Sequence, residues 1–395
     1  MVAAIVVGLV SIMPAYYVSW GRYTQLTGLL LVGPVAACWL ELLRRPSRRL
    51  AATLAILLAG LSLIHFIVLL FTVMFLAVSG VFWLLRAEQA EVRAGILAAA
   101  AAAALALGLA LPWMLVLVRQ KLASTPDGSA LPLVGGGTFN ALDMNLVWAG
   151  QNRWLIAGAL LAALWGIRRH QRGALEQIVW VAALVISANP WFALYVLPVA
   201  GGSLALGAAL RRRWLLMLPG LVFVLVNPWL LRLPYLSLLT NEAVVISLFL
   251  PMGVLIGGAA AWGWDALAAP RRAWARGLAV LLVAGVATWG GWNLRDVVNP
   301  STVLVSAGDV AALEWAAANT PADARFLVNT TGWLRTGRGS DAGWWLLPLA
   351  GRWVSAPPVI YDYAPPAFAS AARARNAVVS RFKAGDEQEL YALTD

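Results

Sequence analysis

Apolar runs and short polar breaks alternate along most of the chain. Most of the runs approach the roughly 20 residues that cross a bilayer. The stretch 50–85 is too long for one span, so we divide it at Ser62–His65. The pattern predicts about eleven membrane-spanning helices, at residues 1–17, 25–43, 50–64, 66–85, 94–118, 154–167, 174–188, 192–210, 214–230, 242–263 and 277–293. The predicted fold class is therefore mostly α, a polytopic helical membrane protein.

The pattern changes after residue 294. "SAGDVAALEWAAANTP" (306–321) predicts a helix, which Ser306 and Asp309 cap and Pro321 ends. Strands are predicted in "RFLVNTT" and "APPVIYDY", and a helix from Pro366 to about Lys383. We therefore predict a transmembrane domain over 1–293 and a small extracytoplasmic α/β domain over 294–395.

Both ends of the sequence bear on its completeness. The chain begins directly in an apolar run, and it stops at "ELYALTD", where a further strand would be expected. We expect either a fragment of a longer protein or a member of its class that has lost both ends.

Charge is sparse and unevenly placed. Only 12% of residues are charged and 61% are hydrophobic, whereas a soluble domain carries about 25% charged residues. The formal charge of +11 comes from arginines in short clusters. The sequence has no basic stripe with interleaved aromatic residues, so it does not predict a nucleic-acid partner. The five clusters all fall on one side of the predicted spans, at 44–49, 86–93, 167–172, 211–213 and 270–276.

The positive-inside rule makes that side the cytoplasm. The N-terminus is then cytoplasmic, and the domain after residue 294 is extracytoplasmic. The alanine- and arginine-rich composition favours a bacterial protein, which would lie in the inner membrane of the cell envelope with the lipid bilayer as its first partner.

The cysteine and histidine residues do not form a zinc-binding pattern. The chain has one cysteine, Cys38, and two histidines far apart, His65 and His170. No zinc spacing exists. The sequence identifies no cofactor and leaves a divalent metal open.

The segment "PAYYVSWGRYTQL" (14–26) is the first candidate site. Tyr17, Trp20 and Arg22 lie together between two predicted spans on the outer side. Aromatic faces suit sugar rings, and a guanidinium suits a phosphate. The alternative is an interfacial aromatic belt with a snorkelling arginine.

Two carboxylates are candidate catalytic groups. Asp143 lies in the long loop 119–153 among amide side chains that suit hydroxyls. Glu242 follows Thr240 and Asn241 at the start of a span. It either complements the helix dipole or acts as a catalytic or metal-binding carboxylate at the outer face.

The tail resembles a known group of enzymes. "ALEWAAANTPADARFLVNTTGW" (312–333), "GWW" (343–345) and "AGR" (350–352) follow the order found in the external domain of oligosaccharyltransferase-like enzymes. On these motifs the chain resembles the GT-C superfamily of polytopic membrane glycosyltransferases. The resemblance covers about 60 residues of the tail.

The resemblance implies transfer of a sugar from a polyprenyl-phosphate donor to an acceptor on the outer face. Asp143 or Glu242 would be the base or metal ligand, and Tyr17, Trp20 and Arg22 would hold the donor. Asp341, Trp344 and Trp345 would shape the acceptor side, and the alternative is that the tryptophans only pack within the domain. Arg352 is a further candidate substrate-binding residue.

Two departures separate the chain from that pattern. GT-C enzymes have an acidic residue in the first external loop, but the first carboxylate here is Glu41, at the predicted inner end of a span. The paired tryptophans are followed by "LLPLAG" instead of the "DYG" of the oligosaccharyltransferases.

The sequence leaves two other classes open. One is a lipid or polysaccharide transporter or flippase, although ion-coupled transporters carry mid-span charges and repeats that this chain lacks. The other is a non-catalytic membrane assembly subunit, which would need no acid in the first loop.

Overall fold

The structure is a computed structural model. It describes residues 1–123, 144–189, 201–202, 205–206, 239–267, 273–300, 305–333, 336–339, 341–356, 361 and 364–380. The chain divides into two compact units. The first comprises 1–116 and 127–298, and the second comprises 117–126 and 299–395.

Helices make up nearly all of the described part of the first unit, and the last residues of α5 belong to the second unit. Numbered in order through the described residues, they are α1 (Val2–Ile5), α2 (Tyr23–Arg44), α3 (Arg48–Ile64), α4 (Phe66–Leu84), α5 (Gln89–Ala123), α6 (Met144–Gly150), α7 (Arg153–Arg168), α8 (Arg172–Ala188), α9 (Asn241–Ser247), α10 (Phe249–Ala266) and α11 (Ala273–Leu294). A π-helix, Val6–Val10, continues α1, and a 3-10 helix covers Ala15–Tyr17.

Five helical stretches in the described part of the chain are long and apolar enough to cross a membrane. They are Tyr23–Arg44, Phe66–Leu84, Glu91–Val116, Asn241–Ala266 and Trp274–Leu294. Three further predicted spans correspond to the shorter helices α3, α7 and α8, of 17, 16 and 17 residues. The predicted spans 192–210 and 214–230 lie almost wholly outside the described residues. A helical membrane protein is thus supported, while the number eleven stays a prediction.

The helix predicted over residues 1–17 was wrong in extent. The first helix ends at Val10, and Ser11 is extended, with ψ of 135°. Pro14 has no N–H to donate and disfavours the helical region for Met13, so the helix cannot run on. The segment from Ser11 to Arg22 is thereby freed to form a turn at the start of α2.

The division at Ser62–His65 is confirmed. α3 ends at Ile64, and His65 is extended, with φ of −160°. The His65 Nδ1 accepts a hydrogen bond from the Val68 N–H at 3.4 Å and so caps α4.

The main core lies between α2, α3, α4 and α8. Its buried side chains include Val35, Leu54, Phe71 and Leu184. Trp180 of α8 is buried edge-on to Phe75 and donates its indole N–H to the Phe71 carbonyl at 3.0 Å. These contacts hold α4 against α8.

Glycines let α1 lie against α10. A Cβ added at Gly257 would lie 2.6 Å from the Ala3 Cβ, and one added at Gly253 would lie 2.4 Å from a Val7 methyl. Only a residue without a side chain permits this approach. The short α1 is therefore held by α10 although it is too short to span a membrane.

The second unit has helices and short strands. α12 (Ala307–Asn319) has the predicted capping box of Ser306 and Asp309, and α13 (Pro366–Val379) begins at the predicted proline. The strands are β1 (Arg325–Phe326), β2 (Thr330–Trp333), β3 (Thr336–Gly339) and β4 (Trp353–Val354).

The four strands form two small pairs. β1 pairs in parallel with β4, with Arg325 opposite Trp353, and β2 pairs antiparallel with β3. The strand predicted over 325–331 is thus interrupted between β1 and β2. The strand predicted over 356–363 lies largely outside the described residues, and β4 precedes it. Leu313 and Ala316 of α12 form this unit's core with Val328, Leu346 and Ala350.

Candidate functional site

Arg22 and Glu242 form an ion pair at one end of the helices. Arg22 precedes α2, and Glu242 lies in the first turn of α9. The Arg22 Nη2 donates to the Glu242 Oε1 at 2.8 Å, and the two side chains are 36% and 55% exposed. A pair exposed to this degree remains within reach of a ligand.

Aromatic and amide groups hold the Arg22 guanidinium. It lies over the Trp20 ring at 4.7 Å from the ring centre, and its Nη1 donates to the Gln25 Oε1 at 3.3 Å. Gly21 has φ of +64°, a conformation that glycine adopts without strain, and this turn brings Trp20 and Arg22 onto one another. The motif predicted from residues 14–26 is therefore a compact group in the structure.

Local capping positions Glu242. The Thr240 hydroxyl accepts from the Ala243 N–H at 3.3 Å, so α9 begins where the sequence predicts. A carboxylate in the first turn also suits the helix dipole. Asn241 and Asn189 exchange two side-chain hydrogen bonds, at 2.7 and 2.8 Å, which tie the start of α9 to the end of α8.

A buried polar layer lies next to the ion pair. The Tyr17 hydroxyl donates to the Ile246 carbonyl at 3.0 Å, and the Gln151 Nε2 donates to the Val245 carbonyl at 2.9 Å. These carbonyls lie where α9 gives way to α10. The helix breaks there because Pro251 has no N–H to offer the carbonyl four residues earlier. Burial raises the pKa of Tyr17, so its hydroxyl keeps its proton and remains a donor.

Gln151 carries an unpaired acceptor. Its side chain is fully buried, and its Oε1 has no hydrogen-bond partner in the described part of the chain. Its amide is held to α9 by the bond to the Val245 carbonyl.

His65 is close enough to Arg22 for the two charges to interact. Burial first, and then the positive charge of Arg22, lower the pKa of His65 below its ordinary value. His65 is therefore neutral at neutral pH, consistent with its Nδ1 accepting from Val68. The structure thus brings together Tyr17, Trp20, Arg22, His65 and Glu242.

In the described part of the chain, Glu242 is the carboxylate that pairs with Arg22. Among the residues that the structure describes, no group of three or more His, Cys, Asp or Glu side chains is placed to hold a metal ion. The arrangement offers a carboxylate that can take a proton, a guanidinium that can bind a phosphate, and an aromatic face.

The remaining predicted site residues lie elsewhere. Asp143 is outside the described residues. Asp341, Trp344 and Trp345 share a 3-10 helix, Asp341–Trp345, in the second unit. Their predicted role at the acceptor side stays a prediction.

Arg352 has a well-defined place in the second unit. Its Nη2 donates to the carbonyls of Ala317 and Thr320 at 2.6 and 2.8 Å, and its Nε donates to the Thr320 hydroxyl at 2.9 Å. A cation at this position satisfies the last carbonyls of α12 and complements the helix dipole. These contacts account for the residue by packing within the unit.

Gln25 is a site residue that the sequence analysis did not single out. It is nearly fully buried and bonds to both Arg22 and Tyr17. The available signal was an amide side chain within an apolar span, since such residues are costly in a membrane and are usually retained for a contact.

Comparisons with known proteins add no relative. No protein-family model matches the chain, and neither a curated protein nor a solved structure matches it.

Proposed function

We propose that the chain is a membrane glycosyltransferase of the GT-C type, which transfers a sugar from a polyprenyl-phosphate donor to an acceptor at the outer face. The observation that supports it is the ion pair of Arg22 with Glu242. GT-C enzymes have a carboxylate in the first external loop, and this chain has none there in sequence. In the folded chain, the carboxylate of Glu242 lies beside that loop, 2.8 Å from the guanidinium of Arg22 at the loop's end.

The earlier carboxylate cannot take this place. Glu41 lies 19 positions after Arg22 on α2, which corresponds to about 28 Å along the axis. It pairs there with Arg45 at 3.7 Å. Of the described carboxylates, Glu242 is therefore the one that meets the first loop.

The reaction would run as a displacement at the anomeric carbon. An acceptor hydroxyl would attack that carbon as the bond to the phosphate oxygen breaks, and Glu242 would accept the hydroxyl proton. Polyprenyl phosphate would leave with the bonding electron pair, and Arg22 would neutralise its charge. Arg22 must then exchange part of its contact with Glu242 for the phosphate, which frees the carboxylate as a base.

The test uses the full chain in nanodiscs. Undecaprenyl phosphate and an undecaprenyl-phosphate-linked hexose are titrated, and binding is followed by tryptophan fluorescence. We expect saturable binding of both, weakened at least about tenfold in Arg22→Gln, because each charge-assisted contact contributes about 1.5–3 kcal/mol. With water as the acceptor hydroxyl, the wild type should release the hexose slowly, whereas Glu242→Gln should bind the donor and release no hexose.

The matched controls are Arg45→Gln and Glu41→Gln, which break an ion pair at the other end of α2. They should leave binding and hexose release unchanged. Absence of saturable binding in the wild type, or equal losses in the controls, would overturn the proposal and favour a non-catalytic assembly subunit.

A further inference from the structure

A second polar site lies at the other end of the first unit's helices. A cavity of about 500 Å³ opens between the end of α2, the end of α4, and the beginnings of α5 and α8. Its volume is within the roughly 300–1,000 Å³ of pockets that take small ligands. Arg44, Arg86 and Arg172 line it, and they come from three different basic clusters of the sequence.

The charges in this cavity are not balanced. Glu176 is buried and accepts from the Arg172 Nε at 2.5 Å, so that these two neutralise one another. The other lining carboxylate, Glu91, accepts from the Glu88 N–H at the start of α5. Within the described residues, no carboxylate lies within 4.0 Å of the guanidinium of Arg44 or Arg86. Two arginines are therefore left to attract an anion.

One wall of the cavity is apolar. Leu40 and Leu43 of α2 line it together with Trp83 of α4. The Trp83 ring lies against α5 at Gly95, where an added Cβ would come within 2.5 Å of the ring. An anion-binding end beside an apolar wall suits an amphiphilic ligand.

The position of the cavity indicates where that ligand comes from. Arg44 ends one candidate membrane span, Trp83 is next to the end of a second, and Glu91 begins a third. Tryptophan prefers the headgroup level of a bilayer, and arginines beside a span attract anionic headgroups. These features suit a ligand that enters from the bilayer.

We propose that this cavity binds the phosphodiester headgroup of an anionic phospholipid. Arg44 and Arg86 bind the phosphate oxygens, Arg172 is held in place by Glu176, and Trp83 with the two leucines contacts the start of the acyl chains. The site is at the opposite end of α2 from Arg22 and does not depend on the glycosyltransferase proposal.

The test counts lipids retained by the full chain. The protein is reconstituted in nanodiscs of phosphatidylcholine with phosphatidylglycerol, and bound lipid is measured by native mass spectrometry after release. We expect the wild type to retain phosphatidylglycerol in preference to phosphatidylcholine. In Arg44→Gln/Arg86→Gln, the ratio of the two retained lipids should fall at least about tenfold. Arg44→Lys/Arg86→Lys keeps the charge and should retain most of it.

Either of two results would overturn the proposal. Arg48→Gln/Arg49→Gln removes the same charge from exposed residues at the same end that do not line the cavity. An equal loss in this variant would show general surface attraction. Displacement of the lipid by inorganic phosphate at an equal concentration would show a site for a free anion.

Discussion

The Arg22 guanidinium donates to the Glu242 carboxylate at 2.8 Å, across 220 positions of sequence. The contact joins the segment before α2 to the first turn of α9 at a place where both side chains are partly exposed. Surface pairs of this kind contribute little to folding, because their attraction is screened by water and offset by lost side-chain freedom. A role in ligand binding would therefore be separable from a role in stability.

A double-mutant cycle tests that separation. Arg22→Gln, Glu242→Gln and the double variant should show a coupling free energy of unfolding of about 0.2–1 kcal/mol. Thermal unfolding of the four proteins in one detergent measures it. A coupling above about 2 kcal/mol would identify the pair as a structural link and weaken the proposed function.

Much of the helical layout could be predicted from the sequence, because apolar runs and their polar breaks are local signals. The break at His65 follows from the length of the apolar stretch, and the capping box follows from the spacing of Ser306 and Asp309. The end of the first helix at Val10 does not follow from apolarity, because the apolar run continues past it. Pro14 prevents the helix from continuing.

The candidate site could be predicted only in its parts. The sequence separately marks Arg22 and Glu242 by residue type and predicted side. Their contact depends on how α2 and α9 pack, which no local pattern encodes. Gln25 and the carbonyls of Val245 and Ile246 were missed for the same reason.

Tyr17 should contribute to stability through its hydroxyl. Tyr17→Phe leaves the buried Ile246 carbonyl without this donor, and we expect a loss of about 1–3 kcal/mol. Tyr16→Phe is the control, because within the described residues the neighbouring Tyr16 hydroxyl has no hydrogen bond. Thermal unfolding of both variants measures the difference. Equal losses would show that the Tyr17 hydroxyl bond is not formed.

His65 should make stability depend on pH. Its pKa is lowered in the folded protein, first by burial and then by Arg22, so the unfolded chain binds more protons near its ordinary pKa of about 6.5. Stability should be fully present above that pH and fall as the pH drops below it. The melting temperature of wild type should therefore decrease on acidification more than that of His65→Gln.

The contribution of Arg22 to this shift can be measured directly. Arg22→Gln should raise the pKa of His65 while leaving it below the ordinary value, because burial is the larger cause. Labelled histidine followed by NMR reports the titration, and His65→Gln assigns the resonance between the chain's two histidines. A pKa unchanged by Arg22→Gln would contradict the proximity of the two groups.

Alanine substitutions at two neighbouring glycines of α10 should have different effects on the free energy of unfolding. Gly257→Ala places a Cβ 2.6 Å from the Ala3 Cβ and 3.0 Å from the Ala3 nitrogen, so we expect a loss of roughly 1–3 kcal/mol. Gly258→Ala meets nothing within 4 Å and should be neutral or stabilising by up to about 1 kcal/mol. Thermal unfolding in detergent distinguishes them. Similar values would mean that α1 does not pack against this face.

Arg352 should stabilise the end of α12. Its guanidinium satisfies the carbonyls of Ala317 and Thr320, and Arg352→Gln leaves them without a charged donor, at a cost of about 2–3 kcal/mol. Hydrogen exchange of peptides covering 307–320 should then become faster. Arg325→Gln is the control, because Arg325 is exposed in the same unit and makes no side-chain ion pair within the described residues. Unchanged exchange in Arg352→Gln, together with weaker sugar-acceptor binding, would return Arg352 to the acceptor side that the sequence predicts.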